Sequence, residues 1–196
     1  IREGAPGREP GLQAAGRRVG ERHLAWSMIE QAYLDVLRII CTRLKGSGVD
    51  WVVVASLSLA LQGVPVDVHE IDIKSDKTGA YEIERLLSEY LLRRIRYRED
   101  DRIRSHFGQL MIDGIKIVVM GGVQYRGVDG TWEGPADWAS HKQVIEVGGM
   151  QVPVLSLAYE YEAYQKLGRA DKVDVLRRWL SREEGSADRR LAREDR

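Results

Sequence analysis

One cysteine in 196 residues leaves no internal disulfide. Cys41 falls within an apolar helical pattern, so it reads as a small core residue. There is no zinc-type spacing of Cys and His and no internal repeat, which argues against a metal-stapled module or a solenoid. No apolar run approaches the length of a membrane span, and no signal-peptide hydrophobic stretch is present. A cytoplasmic protein without a membrane partner is therefore expected. Net charge is also missing: Lys plus Arg number 30 and Asp plus Glu number 30. A general binder of nucleic acid is usually basic overall, so none is expected here, although a local basic groove is still allowed. The length suits one domain with a real core, or one domain and a small helical appendage.

What is present is organised around Trp51 to Asp76, WVVVASLSLALQGVPVDVHEIDIKSD. Trp51 to Val54 is an apolar, β-branched run that predicts a buried strand. Ala55-Ser56 is a small-residue turn into a helix over Leu57 to Gln62, which Gly63 can end. A second strand is expected over Val68 to Ser75. Its period of two puts Ile71 and Ile73 on one face and Glu70, Asp72 and Lys74 on the other. Two carboxylates two positions apart on one strand face can converge on one hard cation such as Mg²⁺.

Around this unit, residues 1–27 lack apolar periodicity and are expected to be disordered; good patterning starts near Met28, which suggests it as the natural start. Ser27 and Glu30 fit a capping box for a helix running to Leu44, stopped at Lys45-Gly46-Ser47-Gly48. Asp76 to Gly79 is expected as a loop and Ala80 to Leu92 as an amphipathic helix. Arg93 to Asp101 reads as a solvated edge strand and loop rather than an anion-binding patch. Phe107 to Ile112 and Ile115 to Met120 form a hairpin across Asp113-Gly114, with the second strand beside the one bearing Glu70 and Asp72. Gln124 to Ser140 is loop-like, with Trp132 and Trp138 anchoring it to the core. A second hairpin joins Gln143–Val147 to Met150–Leu155 at Gly148-Gly149. Ser156 caps a helix over Leu157 to Leu167, and Asp171 to Leu180 forms the last helix before a charged tail.

The strand, small-residue turn, helix and acid-x-acid strand together resemble the nucleotidyltransferase superfamily, the DNA polymerase β-like fold. The resemblance covers roughly Met28 to Leu180 and looks closest to small prokaryotic members. It implies an α+β fold: a mixed β-sheet flanked by helices, with C-terminal helices. The expected organisation is an extension over 1–27, a nucleotidyltransferase-like domain over 28–181 that includes a helical element over 156–181, and a tail over 182–196. The sequence departs from the family at two points, with Ala55 where the family has glycine and Glu70 where it has the first aspartate.

The resemblance also implies chemistry. Glu70 and Asp72 would bind the Mg²⁺ or Mn²⁺ carried by a nucleoside triphosphate, and the turn at Ala55 and Ser56 would receive its phosphates. Lys166 and Arg169 match the lysine and arginine that reach back toward the triphosphate. Lys74 could pair with Asp72, contact phosphate, or be an ordinary exposed strand lysine. The family's third acid belongs on the following strand, where the matching position is Val118; Asp113 sits at the hairpin turn, and Asp67 and Asp76 are not placed by the sequence. The extra methylene of Glu70 moves its carboxylate by about a bond length, a displacement that costs about 10²-fold in rate. His69 and His106 are not assigned to the site.

Two functions follow from the resemblance, beside a plain interaction domain in which Glu70 and Asp72 are a solvated strand face. The first is metal-dependent transfer of a nucleoside monophosphate to an unidentified acceptor, weakened by the missing carboxylate. The second is a catalytically inactive nucleotide-binding or antitoxin-like interaction module of the same fold. A homo-oligomer or a helical partner protein is compatible with either.

Overall fold

The computed structural model describes residues 29–127 and 129–194, with side chains as far as residue 182. Ser27, Met28 and the extension expected to be disordered lie outside the described residues. Helix α1 (Gln31–Leu44) starts after Glu30, whose side chain makes no capping bond to it; the capping box expected of Ser27 and Glu30 involves a residue outside those described. Strand β1 (Trp51–Val54) passes directly into α2 (Ala55–Leu61). Strand β2 (Ile71–Ser75) is shorter than expected and begins one residue after Glu70. Asp76 then caps α3 (Lys77–Leu86) by accepting a 2.6 Å bond from the Gly79 N–H, so the expected loop is the helix start.

The helix expected to reach Leu92 stops early. A 3₁₀ turn at Ser88–Tyr90 leads into β3 (Leu91–Glu99), so Leu91 and Leu92 are strand residues. The hairpin β4 (Ile103–Ile112) and β5 (Ile115–Tyr125) is longer than its apolar runs suggest and turns at Asp113 (φ 48°) and Gly114 (φ 79°). Strands β6 (Lys142–Val147) and β7 (Met150–Leu155) form the second hairpin. Ser156 caps α4 (Leu157–Lys166) through a bond from the Tyr159 N–H. The last helix, α5 (Ala170–Glu194), runs far past Leu180 and takes in most of the segment expected as a tail. None of the described helices is long and apolar enough to cross a membrane.

The seven strands form one mixed sheet in the order β3-β4-β5-β2-β1-β7-β6. The strands β1 and β2 are antiparallel, while β2–β5 and β1–β7 are parallel. One face carries Val53, Ile71, Ile73, Ile117, Val119 and Val152, all buried against α1 and α3. This is the main core, and its burial is the chief driving force for the fold. The second face carries Val52, Val54 and Leu155, covered by Trp138 and Tyr159, which confirms Trp138 as a loop anchor. Tyr164 on α4, Val173 and Leu176 on α5 and Leu59 on α2 close a smaller cluster at the same end.

Candidate active site

Register fixes the site. Asp72 lies opposite Val54 on β1 and opposite Val118 on β5. Paired positions share a sheet face, so Asp72 and Val118 point the same way. Val54 is the last residue before Ala55, so the turn emerges beside Asp72. The expected third-acid position is therefore the strand neighbour of Asp72, and it is filled by a buried valine.

Ala55 has φ 58°, a left-handed conformation that favours glycine. It is held there by a residue with no motif of its own in the sequence. The Glu160 carboxylate on α4 accepts a 2.9 Å hydrogen bond from the Ala55 N–H. Glu160 is 5% exposed, and burial pushes its carboxyl above the usual range, against the opposing effects of Lys74, the Ala55 N–H and the Ser58 hydroxyl. Its signal in the sequence was faint: it lies on the stripe of α4 that also buries Ala163 and Tyr164. Ser56, in the first turn of α2, is buried.

The second face around Asp72 is crowded with charge. Burial, then the Glu70 and Glu160 carboxylates, raise the Asp72 carboxyl to about 7; Lys116 and Lys74 offset this in part. Lys74 is 4% exposed, so it is not an ordinary surface lysine. Its ammonium donates to the Tyr125 hydroxyl at 3.2 Å and lies 5.6 Å from the ring centres of both Tyr125 and Tyr159. Burial lowers its affinity for a proton, while Tyr159, Glu160 and Asp72 favour the charged form. Glu70 forms an ion pair with Lys116, two residues before Val118. Hydrogen bonding by Glu70 raises the Lys116 ammonium above its ordinary value.

The remaining candidates stand further out. Lys166 pairs with Glu133 at 2.7 Å and lies 5.9 Å from the Tyr125 ring centre. Arg169 pairs with the neighbouring Asp171 at 3.3 Å. Asp113 is in its hairpin turn, and Asp76 is the α3 cap, so neither serves as the third acid. A cavity of about 270 Å³ opens beside Tyr125 and Tyr159, rimmed by Glu133, Asp137, Glu162 and Lys166. A larger one, about 500 Å³, lies between α1 and the β6–β7 hairpin beside Cys41. It is not lined by Glu70 or Asp72, and burial pushes the Cys41 thiol up to about 11.

Glu70 and Asp72 are the two carboxylates that would hold a divalent cation carried by a nucleotide. Among the described residues no group of three or more metal-ligating side chains comes together. Mg²⁺ bound with a nucleotide needs only one or two carboxylates, the phosphates and water supplying the rest. Glu70 and Asp72 provide that number, and Val118 withholds the oxygen a second ion would need.

Comparison with known proteins agrees with this fold. The family model described as aminoglycoside-2''-adenylyltransferase matches residues 36–177, more than two thirds of the chain. The crystal structure of TM1012 from Thermotoga maritima, provisionally described as a nucleotidyltransferase, is 55% identical, with a TM-score of 0.70 over 79% of this chain and 96% of that one. The crystal structure of ANT(2")-Ia in complex with adenylyl-2"-tobramycin is 12% identical, with a TM-score of 0.49 over 84% of this chain and 98% of that one. No curated protein matches the sequence. On its family match and its identity to the Thermotoga protein, the chain belongs to the aminoglycoside-2''-adenylyltransferase family within the nucleotidyltransferase superfamily.

Proposed function

We propose that the protein transfers a nucleoside monophosphate from a nucleoside triphosphate to an acceptor hydroxyl, on the sheet face that carries Glu70 and Asp72. One observation carries the reading: Val54 and Val118 both lie opposite Asp72, so the Ala55–Ser56 turn, the acids and the third strand meet at one point. The acceptor oxygen would form a new bond to the α-phosphorus as the bond to pyrophosphate breaks. A Mg²⁺ or Mn²⁺ ion held by Glu70 and Asp72 would neutralise charge on the phosphates.

The chain's own residues do the positioning. Glu160 holds Ala55 in the conformation that aims the turn, and Ser56 offers its hydroxyl to phosphate. Lys74, packed between Tyr125 and Tyr159, fixes the positive side of the acid cluster. Lys166 and Arg169 are exposed in surface ion pairs, which cost little to break, so both can turn to the triphosphate.

A second reading is a nucleotide-binding or antitoxin-like module without turnover. Val118 and the Glu70–Lys116 ion pair favour it, because one acid is lost and another is already neutralised. Calorimetry with ATP, GTP, CTP and UTP in Mg²⁺ or Mn²⁺ tests both. Binding that disappears in Glu70→Ala and Asp72→Ala supports a nucleotide site. Pyrophosphate release with an acceptor selects the first reading, and binding without release selects the second. Absence of binding rejects both.

A further inference from the structure

The acid-bearing face of the sheet continues past Val118 to the β3 edge, and there it becomes basic. Two register shifts in β3 decide which arginines face it, and the second is a β-bulge. Arg93 lies opposite Gln109, and Arg96 opposite Phe107, so Arg94 and Ile95 share the space facing Gly108. Gly108 makes this possible: a Cβ on it would stand 2.4 Å from Ile95 Cγ1 and 3.0 Å from the Arg93 carbonyl oxygen. Strict alternation would have sent Arg93 and Arg96 to opposite faces; the extra residue brings them together. Gln109 in turn lies opposite Val118, and Phe107 opposite Met120, which places Arg93, Arg96 and Arg98 on the face of Asp72. Arg94 goes to the other face, where it pairs with Glu84 of α3 at 3.3 Å.

Arg93, Arg96 and Arg98 are exposed and in none of the ion pairs among the described residues, although, after the backbone N–H groups of Arg102 and Ile103, Arg98 lies near enough to Asp100 to help lower its carboxyl. The Arg98 guanidinium lies 4.8 Å from the Phe107 ring centre. Phe107 and Gln109 are half-buried between this row and the acids, and Lys116 completes the path to Glu70. We propose that the Arg93, Arg96 and Arg98 row, with Phe107 and Gln109, is a binding surface for single-stranded RNA. The zero net charge of the whole chain hides this local concentration. Three arginines along one edge match a phosphate backbone, and an arginine-backed aromatic on an open sheet face accepts an unpaired base. Gln109 offers both a donor and an acceptor to a 2′-hydroxyl, which distinguishes RNA from DNA. That a hydroxyl of the bound strand is the acceptor rests on the transfer reading above; the binding surface does not.

The test uses the full chain without nucleotide and a fluorescein-labelled single-stranded RNA of about 12 nucleotides, followed by anisotropy. The expected result is binding that weakens steeply with salt and falls at least tenfold in Arg93→Ala/Arg96→Ala/Arg98→Ala, whose thermal unfolding is checked against wild type. Arg94→Ala, on the opposite face, should leave the RNA affinity unchanged. Asp72→Ala should also leave it unchanged, so a failure of the nucleotide site and a failure of this surface are read separately. No binding, equal loss in Arg94→Ala, equal affinity for single-stranded DNA, or preference for a poly-glutamate peptide would each overturn the proposal.

Discussion

The Glu160 carboxylate on α4 accepts a hydrogen bond from the N–H of Ala55, 105 residues earlier, at 2.9 Å. The bond ties the C-terminal helices to the one turn in the site whose backbone is left-handed without glycine. Positive φ costs a non-glycine residue about 1–2 kcal/mol, and an anchored N–H is one way to hold it. Ala55→Gly should therefore stabilise the protein by about 0.5–1 kcal/mol, after the larger unfolded-state entropy of glycine is subtracted. Glu160→Ala should destabilise it by about 1–3 kcal/mol, because a buried N–H loses its partner. Urea unfolding of both variants measures this; an unchanged Glu160→Ala would remove the anchor from the account.

Asp72 sets a pH dependence. Its folded value of about 7 lies above the ordinary 3.8, so between these limits the folded state binds more protons than the unfolded one. Stability contributed by the protonated carboxyl is then full below the ordinary value and is lost as pH rises toward 7. Glu160 is shifted in the same direction. Asp72→Asn should flatten this slope and be more stable than wild type above pH 7 by roughly 1–3 kcal/mol. Denaturation in chelator-treated buffer at several pH values checks it. Parallel pH curves for wild type and variant would contradict the shift.

On the proposed reading, Val118 and Lys116 would set how many cations the site holds. Val118→Asp should supply the absent oxygen beside Asp72 and raise Mn²⁺ affinity, with a second ion bound per chain. Lys116→Met should free Glu70 and also tighten Mn²⁺. Electron paramagnetic resonance of free Mn²⁺ gives both numbers. No change in Val118→Asp would mean that the third acid's place lies elsewhere.

The bulge at Arg94 and Ile95 depends on Gly108. Gly108→Ala puts a methyl group against Ile95 and the Arg93 carbonyl, and overpacking of this kind costs about 1–3 kcal/mol. Thermal unfolding should show the loss, and a fully stable variant would mean that the bulge is easily rearranged.

Much of the site was legible because it is local. Alternation in Ile71, Asp72, Ile73 and Lys74 gave the faces, and Asp113-Gly114 gave the hairpin that brings Val118 beside Asp72. The rest depended on contacts remote in sequence. Lys74 reads as exposed until Tyr125 and Tyr159 close over it from later elements. Glu160 is one charged residue in a tyrosine-rich helix, and only the assembled fold shows it at the turn. Leu91 and Leu92 continue a helical apolar pattern, yet pairing with β4 claims them for the sheet, an instance of tertiary context overriding local pattern. The arginines of Arg93 to Asp101 read as a solvated edge because strict alternation groups Arg94 with Arg96 and Arg98, and the bulge that puts Arg93 on that face instead depends on Gly108 in the neighbouring strand.

The most direct measurement is calorimetric titration of ATP with Mn²⁺ into the wild-type chain and into Asp72→Ala, whose fold is verified by circular dichroism. Nucleotide site and acid pair are one place in this account, so heat of binding should be present in the first and absent in the second. Equal heats from the two proteins would place any nucleotide elsewhere on the molecule.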